Sequence, residues 1–154
     1  MANNECSEAE RLEVLALLPQ TPPFRFIDRL LELSDSHAVS EYRFTGEESF
    51  YKGHFAGNPV TPGVILVEVM AQTGLVALGI HLLRKENREA KLTTLFTDCQ
   101  VEFLDVVRPH ALVTARAEKV FWRMNKLRSK VEVTLENGAV AASGTISGMG
   151  VVLS

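Results

Sequence analysis

Residues 64–83 read VILVEVMAQTGLVALGIHLL, the longest apolar run in the chain, and over residues 64–71 it is apolar on nearly every side. The run approaches the length of a membrane span, but Glu68, Gln72, Thr73 and His81 interrupt it, and ionisable groups are costly at a bilayer centre. The pattern predicts a buried helix of a soluble protein, without a membrane partner. A helix that is hydrophobic all round has to be covered all round. A curved sheet on one side and another subunit on the other would do this.

The flanks of this run supply the sheet. On the N-terminal side, Ser7 can cap a helix over residues 7–18, with Leu12, Leu15 and Leu17 or Leu18 at helical spacing, and Pro19, Pro22 and Pro23 stop it. Residues 30–44 read as a hairpin turning near residues 34–36, with Ser40, Tyr42 and Phe44 on one face and Val39, Glu41 and Arg43 on the other. On the C-terminal side, a polar turn at residues 87–91 leads into four strand-like segments, at residues 92–107, 111–122, 127–135 and 140–152. Leu127, Ser129, Val131, Val133 and Leu135 alternate with polar neighbours, and Asn137-Gly138 predicts a type I′ turn. No helix separates these strands, which disfavours a doubly wound α/β fold. The expected architecture is α+β, a curved antiparallel sheet wrapped around one long central helix, in a single domain over residues 1–154.

The chain has 154 residues, 46% hydrophobic and 23% charged, with a formal net charge of −3. A chain of this size buries roughly 68–70% of its unfolded surface, enough for a core without disulfides but leaving little material for a deep cleft. The mild acidity argues against nucleic acid as the main partner. Cys6 and Cys99 stand apart without CxxC spacing, and the first residues lack a signal-peptide pattern, so a reducing cytoplasm is the expected compartment. Arg123, Lys126, Arg128 and Lys130 beside Trp122 read as the solvated face of a strand, or more sharply as a contact for an acidic protein.

Chemistry concentrates at residues 53–63, GHFAGNPVTPG, just before the long helix. Pro62-Gly63 marks the helix start, where the free N–H groups of Gly63 and Val64 and the helix dipole can hold a carbonyl oxygen that becomes negative during reaction. Glu68 lies among Leu66, Val67, Val69 and Met70, surroundings that favour the protonated acid, and Gln72 one turn on can orient it. A solvated glutamate or a structural ion pair is the plain alternative. His54 sits in a constrained loop and suits a general base, or a packed loop histidine. His37, His81 and His110 share no metal-ligand spacing with it or with either cysteine, so no metal and no cofactor are implied. No GxSxG, Walker or GxGxxG motif is present.

Residues 53–72, GHFAGNPVTPGVILVEVMAQ, resemble the 3-hydroxyacyl-acyl-carrier-protein dehydratases of fatty acid synthesis. The likeness extends to residues 23–29, PFRFIDR, and more weakly across residues 18–152. It implies the hot-dog fold and dehydration of a 3-hydroxyacyl thioester on acyl carrier protein to the trans-2-enoyl thioester. It further implies His54 as base and Glu68 as acid, with the Val60 carbonyl orienting His54, the Gly63 N–H polarising the thioester and Gln72 steadying Glu68. A homodimer or trimer of dimers follows from the same likeness, with each site taking its histidine from one chain and its carboxylate from the other. The chain departs from the family at Ala56, at Thr61 where a Met is usual, at residues 103–106 (FLDV) and at residues 109–111 (PHA). Those departures bear on carrier-protein docking and substrate, so a polyketide or aryl polyene pathway stands beside fatty acid synthesis. A hot-dog acyl thioesterase and a non-catalytic partner subunit of a dehydratase heterodimer are the alternatives.

Overall fold

A computed structural model describes residues 4–88 and 93–152. Helix α1 (Glu8–Ala16) starts at a capping box in which the Ser7 hydroxyl accepts the Glu10 N–H and the Glu10 carboxylate accepts the Ser7 N–H. Strands β1 (Arg29–Leu33) and β2 (His37–Arg43) form the expected hairpin. Val39 is buried as well as its neighbours Ala38 and Ser40, so β2 is covered on both faces there, rather than strictly alternating. A 3-10 turn (Ser49–Lys52) and the loop that follows lead into the central helix α2 (Gly63–Lys85), and the sheet is completed by β3 (Thr93–Phe103), β4 (Leu112–Arg123), β5 (Lys126–Leu135) and β6 (Val140–Val151).

The six strands run in the order β1-β2-β4-β5-β6-β3, every pair antiparallel. The last four strands follow one another in the chain but not in space, because β3 crosses to the far edge and pairs with β6. It also stops at Phe103, four residues short of the predicted end. Two turns differ from expectation. At the β5–β6 connection only Gly138 has a positive φ; the Gly138 N–H reaches the Leu135 carbonyl and the Asn137 side chain accepts the Ala139 N–H, a three-residue loop closed by glycine. The two-residue turn with both φ angles positive is Met124-Asn125, between β4 and β5. Here Asn125 tolerates the left-handed conformation without glycine's help.

By length and composition α2 could cross a membrane, yet about 67% of its apolar window is buried against the sheet, as a core helix would be. Small side chains on the concave face, Ala115, Ala117 and Ala142, admit the helix closely. One tight point is Gly74, where an added Cβ would stand 2.9 Å from Val131 Cγ2 and 3.1 Å from Ala117 Cβ. A π-turn (Gln72–Ala77) interrupts α2 at this point. The Gly74 carbonyl there accepts the Ser129 hydroxyl at 2.6 Å, and Thr73 hydrogen-bonds Ser40 at 2.6 Å. Widened turns of this kind recur inside helices at functional sites.

The two sheet edges differ. Beside β1 the N-terminal segment is docked, with the Cys6 N–H on the Leu33 carbonyl and the Leu33 N–H on the Glu5 carboxylate. Edge strand β3 is exposed along most of its length and carries Leu95, Phe96 and Phe103 into solvent.

Candidate active site

The segment before α2 is folded around His54. The Val60 N–H donates to the His54 carbonyl at 2.9 Å, and His54 Nδ1 lies 2.8 Å from the Val60 carbonyl oxygen. A carbonyl can only accept, so Nδ1 carries a proton, and in the neutral ring Nε2 is left with its lone pair, the tautomer a general base needs. The ring is half-buried and stacks on Phe55 with centroids 4.0 Å apart. Arg108 ties the loop tip by donating to Asn58 Oδ1 at 3.0 Å.

At the helix start, Pro62 occupies the N-cap, and among the described residues the N–H groups of Gly63 and Val64 have no acceptor. They are the exposed positive end of a long helix. Gly63 lies close under Phe103: a Cβ there would stand 3.1 Å from that exposed ring, which would have to shift by a few tenths of an ångström.

Glu68 is half-buried, and burial pushes its carboxyl above the ordinary 4.5, only partly offset by the hydrogen bond from Gln72. Gln72 is fully buried and uses its whole amide: Oε1 accepts the Phe26 N–H at 2.7 Å, while Nε2 donates to the Phe24 carbonyl at 2.8 Å and to Glu68 Oε1 at 3.0 Å. The PFRFIDR segment thus holds Gln72, which holds Glu68. Among the described residues Glu68 has no ion-pair partner and no hydrogen bond to His54. Val60 therefore orients the His54 ring and Gln72, without exposed atoms, orients the Glu68 carboxylate.

The raised carboxyl couples Glu68 to stability. Between 4.5 and the raised folded value, the native state binds more protons at Glu68 than the unfolded chain, so Glu68 lowers stability as pH rises through that window. Glu68→Gln is expected to melt above the wild type at pH 7, with the two melting temperatures converging below pH 4.5. Calorimetry across that range checks it.

A cavity of about 620 Å³ lies farther along α2, with Leu75, Gly79, Ile80, Leu83 and Leu127 on its apolar wall and Arg84, Arg88 and Asn125 on its polar one. Leu75 is seven residues beyond Glu68, about 10 Å along the axis. The polar turn expected at residues 87–91 lies in part outside the described residues. The basic strand cluster is a solvated face: Lys130 is exposed opposite Glu118, and Arg128 donates to Ser147 and lies 5.1 Å over Phe121.

Sequence spacing shows no link between the other histidines and metal-ligating groups, yet the fold builds two small clusters. His81 stands between Cys6 Sγ at 3.4 Å and Asp35 at 2.8 Å. His37 pairs with Glu32 at 3.2 Å and lies 3.7 Å from Glu5. Neither involves His54 or Glu68.

A six-stranded antiparallel sheet wrapped around one long central helix is the hot-dog fold. The sequence model of the FabA-like domain matches residues 18–146, and the chain belongs to that family. Over 137 residues it is 36% identical to the 3-hydroxyacyl-[acyl-carrier-protein] dehydratase FabZ of Streptococcus pyogenes serotype M3, covering 88% of this chain and 94% of that relative. The serotype M1 enzyme matches to the same extent. Among solved structures, the dehydratase heterocomplex ApeI:P from Xenorhabdus doucetiae superposes with a TM-score of 0.76 at 13% identity, over 90% of each chain. A hypothetical thioesterase with coenzyme A from Streptococcus pneumoniae gives 0.58 at 14% identity, over 80% of this chain and 84% of that one. At these identities the structures share the fold.

Proposed function

We propose that this chain, as one hot-dog domain, dehydrates a 3-hydroxyacyl thioester carried on acyl carrier protein to the trans-2-enoyl thioester, in fatty acid synthesis or a related polyketide or aryl polyene route. The observation that carries the reading is the pairing of an Nδ1-protonated His54 with a Glu68 whose burial favours the acid form. His54 Nε2 removes the C2 proton, and the N–H groups of Gly63 and Val64 receive the charge that develops on the thioester oxygen. The C2–H electrons form the C2=C3 bond, the C3–O bond breaks, and Glu68 delivers its proton to the departing hydroxyl, which leaves as water. No cofactor takes part in this scheme.

The acyl chain extends from C3 along α2 against the apolar wall of the cavity. Gly79 lines that cavity, and a Cβ added there would meet nothing nearer than Leu127 Cδ2 at 3.8 Å. Gly79→Leu is expected to lower kcat/KM for long acyl chains by about tenfold or more while sparing the shortest substrates. Enoyl formation measured across acyl chain lengths tests the reaction and the chain path together. Free thiol released from saturated acyl thioesters, with no enoyl product from the hydroxyacyl series, would overturn the dehydratase in favour of a thioesterase.

We further propose a homodimer whose sites combine His54 of one protomer with Glu68 of its partner. Supporting it are the uncovered edge β3, the exposed Phe55, Val64, Phe103, Leu104 and Val106 around the helix start, and the missing His54–Glu68 contact within the chain. A bare, apolar strand edge is a hazard in a monomer and an interface in an assembly. Both cysteines are free thiols, which suits a cytoplasmic setting.

A further inference from the structure

The loop that carries His54 is pinned at its feet by a bond outside the reaction scheme. Tyr51, in the 3-10 turn two residues before Gly53, and Thr61, directly after Val60, place their hydroxyl oxygens 2.6 Å apart. Both residues are about 95% buried, and among the described residues each hydroxyl has the other as its sole partner. Thr61 is held independently by its N–H, which donates to the Val107 carbonyl at 2.8 Å. Through Tyr51 the same residue therefore anchors the turn that precedes His54, while its own backbone continues into the Val60 carbonyl that His54 Nδ1 addresses. Burial pushes the Tyr51 hydroxyl up to about 12, so it stays protonated and able to bond throughout the working pH range.

We propose that Tyr51 and Thr61 are a positioning pair, whose buried hydroxyl–hydroxyl bond closes the loop across residues 51–61 and keeps the Val60 carbonyl on His54 Nδ1. The inference rests on His54 acting as the base. Thr61 stands where the resembling family usually has Met, so the device belongs to this chain rather than to the loop pattern in general. Removing one hydroxyl leaves the other buried without a partner, whereas removing both leaves none stranded.

The test uses the full chain as wild type and as Tyr51→Phe, Thr61→Val, the double variant and Thr61→Ser. Each is measured for kcat, KM and thermal melting, and by NMR with ¹⁵N-labelled histidine, which reports the Nδ1-protonated tautomer of His54. Each single hydroxyl deletion is expected to lower kcat by about tenfold with KM unchanged, and to weaken the His54 Nδ1–H signal. Thr61→Ser should keep both, and the double variant should be no worse than the poorer single one. Wild-type kcat and an unaltered His54 signal in both single variants would overturn the proposal, as would a fall in melting temperature alone. Strictly additive losses in the double variant would also overturn it. If a single variant does not fold, the Thr61→Ser and double variants decide by the same two readouts. Absence of enoyl product from the wild type would defeat the dehydratase reading, and the NMR signal would still judge the positioning pair.

Discussion

His54→Ala and Glu68→Gln are each expected to reduce enoyl formation by about 10²–10⁴-fold, the usual contribution of a positioned acid or base. For His54 the loss follows from geometry. With Nδ1 committed to the Val60 carbonyl, Nε2 is the one basic nitrogen the ring can offer. For Glu68, the amide of Gln keeps the shape and the Gln72 contact but has no proton to give a leaving hydroxyl. Loss of kcat with KM retained is the expected pattern, because in the proposed scheme the Gly63 N–H and the cavity are untouched by either substitution. A mixture of the two dead variants tests the shared site. If subunits exchange, random pairing restores roughly a quarter of wild-type activity, since half of the dimers hold one site with both residues intact. No recovery after demonstrated exchange would place His54 and Glu68 of one site in one chain.

The second large effect is on stability. Gly144 in β6 faces Val101 of the edge strand, and a Cβ built on it would stand 2.7 Å from the Val101 Cα, with the Gln100 carbonyl oxygen nearer still. The obstruction is backbone, which cannot rotate aside as a side chain can. Gly144→Ala is expected to destabilise the fold by about 3 kcal/mol or more and to loosen β3 from the sheet. Denaturant unfolding measures the first effect. Hydrogen exchange of the β3 amides measures the second, and sedimentation shows whether the displaced edge also weakens the proposed dimer. A variant that unfolds like the wild type would show that β3 and β6 can part at this point without cost.

Several features are legible in the chain because they depend on neighbours in sequence. The Ser7 capping box needs a side chain three residues from its partner, and the hairpin near residues 34–36 needs a short polar break between β-formers. The Glu68–Gln72 pair needs only the helical repeat. Turn chemistry is less legible. Asn-Gly points to a type I′ turn, but a single extra residue in the loop places Gly138 at its close and gives the two left-handed positions to Met124-Asn125.

An apolar helix with one protonatable acid, a rigid histidine loop at its start and enough strand to wrap it can all be read from the amino-acid order, because periodicity and local hydrogen bonding are properties of short stretches. Folding in three dimensions was needed to show that β3 crosses to pair with β6, and that Phe24 and Phe26 hold Gln72 from 48 and 46 residues away. The same holds for Gly74, which touches the sheet at a π-turn, and for Tyr51, which meets Thr61 across the loop. These contacts join segments whose spacing carries no signal. They arise where close packing leaves a buried polar group one available partner, and that partner is chosen by the whole fold.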